Sequence, residues 1–561
     1  MKKRIIFSLF FISIILSIEF FVFSPIYFLD SVFINYGLTP YDICQKQPRL
    51  WYFIKVVFII SNIFNLIIIS NNLYSVLSPK SIIKKRVSQK EIINKNNLSL
   101  LVGLDNNKNK IYIPEKGLYQ NILVTGTIGS GKTSSAMYPF TKQLINYKCN
   151  EDDNKLGMLI LDVKGNYHYK VKEFCELYNR QNDLIVIELG GKYKYNPLDK
   201  PNLKASVLAN RLKTILLLFS ENNSESYWLD KAEQILEQAI KLCRLYNDNY
   251  VNFTEIHKLI TDPSYYYSKI EYLKNNFLNN NLNENKCYDL LTSINFFEKE
   301  FLSLDQRTMS ILKSEITRIT NCFISDYDVL HTFNPEKNEG NFNSLSEIIS
   351  SGKIVILNMN ISEYKNLSKI IAAYLKLDFQ TEVLSNLASN TVSRRVSFIS
   401  DEYHEYVTST DADFFAQSRE AKCINIVATQ SYTSLLKTLN NESTVKVIIQ
   451  NLINKIWLRT DDSFTIEEAQ KQIGKEDKEK ISTSISENAK ETFYNYFTNS
   501  LNSKNSSITE SINSVIQHDF IYDTNFFTQE LETFNCVAFL STGNSILSPG
   551  KIQLIPYFKE L

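Results

Sequence analysis

Two nearly unbroken apolar runs occupy the start of the chain: residues 5–23 (IIFSLFFISIILSIEFFVF) and residues 51–69, the second interrupted by Lys55, Ser61 and two asparagines. Each approximates the roughly 20 residues that a helix needs to cross a bilayer's hydrocarbon. Lys2, Lys3 and Arg4 precede the first run, while Lys80, Lys84, Lys85 and Arg86 follow the second. The positive-inside bias therefore predicts that both flanks lie in the cytoplasm, with the connection between the runs outside. A cleaved signal peptide would be the alternative for the first run, but no small-x-small site follows Phe23. Glu19 would be costly at the bilayer midplane, so its place is toward the outer end or against a partner helix. Residues 1–85 are thus expected to form a lipid-embedded, multi-pass anchor in the cell membrane, with the remaining chain in the cytoplasm.

After the basic connector of residues 80–97 the pattern shortens. LSLLVGL, KIYIP and NILVTG are strand-like runs, followed by LGMLILD (156–162) and DLIVIEL (183–189). Apolar strands alternating with helical stretches predict a parallel sheet covered by helices. From about Leu203 to Phe323 apolar residues recur at helical spacing, as in WLDKAEQILEQAIKLC and LDQRTMSILKSEITRI. Strand runs return at KIVILNM (353–359), VSFISDE (396–402), INIVATQ (424–430), KIWLRTD (455–461) and CVAFLST (536–542). The fold class is therefore α/β. A nucleotide-binding domain is expected in two parts, 86–200 and 346–561, split by an all-α insertion over 201–345. The Ser/Asn-rich stretch at 499–509 is expected to be a mobile connection.

Composition narrows this little. The apolar fraction of 44% and charged fraction of 22% are those of a folded chain, and the net charge of +1 announces no overall basic field. The eight cysteines include no C-x-x-C pair, which argues against a zinc site or a disulfide framework.

The chemistry is concentrated in Gly126, Thr127, Ile128, Gly129, Ser130, Gly131, Lys132 and Thr133, which match G-x-x-x-x-G-K-[ST] between a strand and a helix; Ser134 follows. Such a loop turns backbone N–H groups and a helix N-terminus toward the phosphates of ATP. Lys132 reaches the β/γ-phosphates, and the Thr133 hydroxyl coordinates Mg2+. Asp162 and Asp401 both end apolar strands, but only Asp401 is followed by a second carboxylate, Glu402. Asp401 is therefore the expected Mg2+ partner and Glu402 the residue that polarises water. Asp162 is expected to be structural or phosphate-side. Gln430, ending IVATQ, is placed to sense the γ-phosphate. Arg419 is the first candidate for an arginine supplied to a neighbouring subunit's site, and Arg459 the second. His404 reads as a loop residue.

Taken in order, these segments resemble the TraG/TraD-like coupling ATPases of type IV secretion and bacterial conjugation. The resemblance runs through the two spans, GTIGSGKT, DVKG (the family has D-P-K-G-E), YNPLD, YWLDKAEQIL, DEYHEY and SREAKCINIVATQS to TDD…EEAQKQIGK. Val163, Asn166 and the Tyr403-His404 pair depart from it. It implies a RecA-like domain with an all-α insertion, assembled as a homo-hexamer on the cytoplasmic membrane face. It further implies recruitment of a relaxase–single-stranded DNA complex and its delivery to a type IV secretion channel. Other ring translocases of FtsK or HerA type share the phosphate loop and carboxylate pair, and an exporter of protein effectors is a further alternative. A nucleotide-gated scaffold would have no use for Glu402.

Overall fold

The computed structural model describes residues 97–559, apart from 163, 219–225, 280–283, 343, 389–393 and 497–498, together with scattered helical residues between 48 and 63. The expected spans, 5–23 and all but isolated residues of 51–69, lie outside the described residues. No helix among the described residues is long and apolar enough to cross a membrane.

The described residues form thirteen strands: β1 (Ser99–Leu104), β2 (Lys110–Pro114), β3 (Ile122–Thr125), β4 (Gly157–Asp162), β5 (Leu184–Glu188), β6 (Ile354–Asn358), β7 (Val396–Ser400), β8 (Cys423–Thr429), β9 (Asn454–Trp457), β10 (Lys475–Asn495), β11 (Ser500–Phe520), β12 (Asn535–Phe539) and β13 (Gly550–Leu554). Eleven of them make one sheet in the order β2-β1-β13-β12-β9-β3-β8-β7-β4-β6-β5. From β9 to β5 every neighbouring pair is parallel. The other four strands extend the sheet antiparallel.

The parallel strands are apolar because both faces are covered. Leu123, Leu159, Leu161, Leu357 and Val427 point into one core, while Ile122, Val124, Met158, Ile160, Ile356 and Ile426 point into the other. This is the period-2 alternation of a strand, with both phases filled by aliphatic side chains. Helix α1 (Tyr138–Asn146) packs on the second side, as does α2 (Tyr167–Leu177).

Between β5 and β6 the described chain is helical. Its helices include α3 (Ala205–Leu217), α4 (Ser226–Tyr246), α5 (Phe253–Thr261) and α6 (Gln306–Ile324). Leu229, Ala232, Leu236, Ala239 and Cys243 form one buried stripe of α4, at the spacing of three and four that helical packing requires. Asn252 caps α5 by accepting the Glu255 N–H, and Asp305 caps α6 by accepting those of Arg307 and Thr308. These helices share the first core with α7 (Asn366–Ala388), which follows β6.

One expectation is overturned. The stretch 499–509 lies within a two-stranded antiparallel ribbon of β10 and β11, each 21 residues long. Cross-strand pairing from Lys475↔Phe520 to Asn495↔Ser500 supplies the backbone partners that Ser/Asn-rich composition alone does not predict.

Candidate functional site

Register brings the separate motifs together. Thr125 at the end of β3 is level with Thr429 in β8, and Ser400 of β7 is level with Val427 of β8 and Leu161 of β4. The residues that follow these strands therefore share the carboxyl edge of the sheet, where open α/β folds bind ligands. Because β8 lies between β3 and β7, Gln430 falls between the glycine-rich loop and the carboxylate pair.

The loop is held by its own backbone and by its neighbours. Gly126 N–H donates to Thr429 O and Thr127 N–H to Arg459 O, while the Ser130 hydroxyl donates to Thr127 O at 2.7 Å. Gly131 has φ +98°, and a Cβ there would lie 2.6 Å from the Phe534 ring, so glycine is required twice over. Thr133 opens a π-helical turn, Thr133–Met137, that runs into α1. Ile128 is strongly exposed, and Tyr557 N–H donates to Ser134 O.

Lys132 is buried, with Nζ donating to Gly126 O at 2.5 Å and Thr127 O at 3.2 Å; burial pulls its pKa below the usual lysine value. The Thr133 hydroxyl donates to Asp401 Oδ2 at 2.8 Å, joining loop and carboxylate pair across 268 residues of sequence. Burial, with Glu402 and Asp162 beside it, holds the Asp401 carboxyl above its ordinary pKa despite Lys164 and Thr133. Glu402 has φ +53°, a left-handed conformation uncommon for a residue with a Cβ, and its side chain is almost fully buried. Burial raises its carboxyl, but Lys164 and Lys132 reverse this and hold it below the usual value. Gln430 Nε2 donates to Glu402 Oε2 at 3.2 Å.

The strand end carrying this pair is tied down by two buried tyrosines. The Tyr406 hydroxyl donates to Asp401 O at 2.9 Å and Leu161 O at 3.1 Å. The Tyr403 hydroxyl bonds to Asp411 at the start of α8 (Asp411–Gln417), which is also paired with Lys376 of α7 at 2.6 Å. Asp162 accepts the backbone N–H groups of Lys164, Asn166 and Tyr167, and so shapes the turn from β4 into α2.

Two site residues are not singled out by sequence reasoning. Lys164 Nζ lies 2.6 Å from Glu402 Oε1. His404, read as a loop residue, sits in a short turn, Tyr403–Glu405, that brings Nδ1 within 3.3 Å of Thr429 Oγ1 and 3.8 Å of Glu402. Burial lowers its pKa despite the opposing pull of Glu402 and Glu405. The signals in the sequence are the DVKG match for the lysine and the neighbouring DE for the histidine.

The arginines stand apart from this cluster. Arg459 follows β9 at the site edge; its main-chain carbonyl holds the loop and its side chain is exposed. Arg419, also exposed, precedes β8 and so lies at the far end of that strand from Gln430, about 20 Å away at ~3.3 Å per residue.

Sheet order and the placement of the glycine-rich loop and the carboxylate pair at one sheet edge define a RecA-like α/β fold. More particular likenesses follow from comparison with known proteins. A family model described as the type IV secretion-system coupling protein DNA-binding domain matches residues 309–519. Among solved structures, the unbound bacterial conjugative coupling protein TrwBdeltaN70 aligns with a TM-score of 0.54 at 12% identity, over 83% of this chain and 90% of that one. The plasmid coupling protein TrwB in complex with the non-hydrolysable ATP analogue ADPNP aligns at 0.53 and 12% identity, over 84% and 92%. Its complex with ADP and Mg2+ aligns at 0.53 and 11% identity, with the same coverage. No curated protein matches the sequence. The resemblance to the type IV coupling proteins is thus borne out, the solved structures speaking for the fold.

Proposed function

We propose that this protein is a membrane-anchored, ATP-driven coupling protein that recruits a relaxase–single-stranded DNA complex and feeds it into a type IV secretion channel. The observation that carries the ATPase reading is the Thr133–Asp401 hydrogen bond beside Glu402 and Gln430. A hydroxyl and a carboxylate are hard oxygen donors that suit Mg2+, and the solved relatives crystallised with ADPNP, or with ADP and Mg2+, support the same ligands here. Mg2+ at Thr133 and Asp401 would supply charge neutralisation on the phosphates. Lys132 and the loop N–H groups bind and orient the phosphate chain. Glu402, ionised and held by Gln430, accepts the proton of the attacking water. A DNA cargo is favoured over a purely proteinaceous one by the DNA-binding description of the family model.

The experiment is a pair of substitutions in the purified protein. Lys132→Ala should lose both nucleotide affinity and hydrolysis. Glu402→Gln should still bind ATP while turnover falls roughly 10²–10⁴-fold, the usual worth of a general base. Near-normal turnover in Glu402→Gln would sink the assignment.

A further inference from the structure

Glu402 is not free to act on water as it stands. One carboxylate oxygen is taken by Lys164 Nζ at 2.6 Å and the other by Gln430 Nε2 at 3.2 Å. Lys164 also lies 3.8 Å from Asp401, so a single ammonium is shared by both site carboxylates, nearer to Glu402. Its side chain is 46% exposed, against 1% and 6% for the two carboxylates. It is therefore the more accessible member of the pair. The turn that presents it is fixed at its base by the three hydrogen bonds to Asp162 and by Gly165 at φ +72°, packed against Asn360. A γ-phosphate carries more charge than a carboxylate and offers more acceptor oxygens, so it competes well for a nearby ammonium.

We propose that Lys164 exchanges partners with nucleotide state: it pairs with Glu402 when the site holds ADP or nothing, and with the γ-phosphate of a bound nucleoside triphosphate. The exchange frees one oxygen of Glu402 for water only when there is a phosphoryl group to transfer. Lys164 is thus a γ-phosphate-sensing residue that withholds the base from idle sites. This rests on the ATPase reading above.

The test is a cycle of binding measurements on the full chain with ADPNP and ADP. Lys164→Ala should weaken ADPNP by about tenfold, the scale of one charge-assisted contact, and leave ADP within about twofold. Glu402→Gln removes the competing anion and should tighten ADPNP relative to ADP; in the double variant that gain should vanish. A structural role for Lys164 would move both nucleotides together, and that result overturns the proposal. So does a Glu402→Gln gain that survives in the Lys164→Ala background. If Lys164→Ala binds neither nucleotide, Lys164→Gln, uncharged but similar in length, is judged by the same criteria. Failure of the ATPase reading is separately visible, as undiminished nucleotide binding in Lys132→Ala.

Discussion

At Asp378 a carboxylate lies almost wholly out of water and is satisfied from three directions. Lys200 Nζ is 2.9 Å from one oxygen, Arg211 Nη1 3.0 Å from the other, and the Tyr195 hydroxyl donates at 2.8 Å. Tyr195 belongs to the YNPLD segment and Arg211 to α3, so the cluster pins the start of the helical region to α7. Burial alone would raise this carboxyl, but the two cations hold it below the ordinary aspartate value. Asp378→Asn leaves Lys200 and Arg211 buried without their anion and should cost about 3–5 kcal/mol at pH 7. Because the folded-state pKa is depressed, this stabilisation is complete above the unfolded aspartate pKa of about 4 and is lost as pH falls through the folded value. Denaturant titrations of both proteins should therefore converge on acidification below about pH 4; a gap that persists would show that the loss is one of shape and not of charge.

At the level of elements, legibility followed locality. The strands around the glycine-rich loop could be read because each is a short aliphatic run with both faces buried, and GTIGSGKT is contiguous. The Thr133–Asp401 contact followed from chemistry, since a hydroxyl and a carboxylate expected to serve one ion must lie together. Lys164 could not be read in the same way: its partner lies 238 residues away, and only the adjacency of β4 and β7 brings them together. His404 was hidden for the opposite reason, since it neighbours Glu402 in sequence and only the left-handed turn aims it at Thr429. The β10–β11 ribbon shows where composition misleads. Serine and asparagine suggest a loop, yet Ile481, Thr483, Ile512 and Ile516 fall in alternate register, with Thr483 opposite Ile512 and Glu479 opposite Ile516. Cross-strand pairing decided the outcome.

On the scale of the whole molecule, the position of Arg419 bears on assembly. In its own chain it lies at the opposite end of β8 from the proposed nucleotide site, so a catalytic role requires donation to a neighbouring subunit, worth ~10³–10⁵ in rate where such arginines act. Hydrolysis should then rise more steeply than linearly with protein concentration. Arg419→Ala and Glu402→Gln subunits, each inactive alone, should recover partial activity when mixed, because some interfaces pair an intact arginine with an intact base. Mixed rings that assemble and stay silent would exclude the trans role and direct attention to Arg459. The ribbon has a different kind of consequence. Ile521 N–H donates to Gly474 O at 3.2 Å, so the chain leaves and re-enters the body at one hydrogen-bonded point. In terms of the path of the chain, residues 475–520 are a detour: their two strands stand apart from the large sheet, and no side chain described among them is buried in its cores. Replacing 476–519 with a two-residue Asn-Gly turn should leave nucleotide affinity unchanged and move the melting temperature by no more than a few degrees. A collapse of either would mean that the ribbon is woven into the body's stability. Otherwise the body fixes where this excursion begins and leaves its length to the ribbon's own pairing.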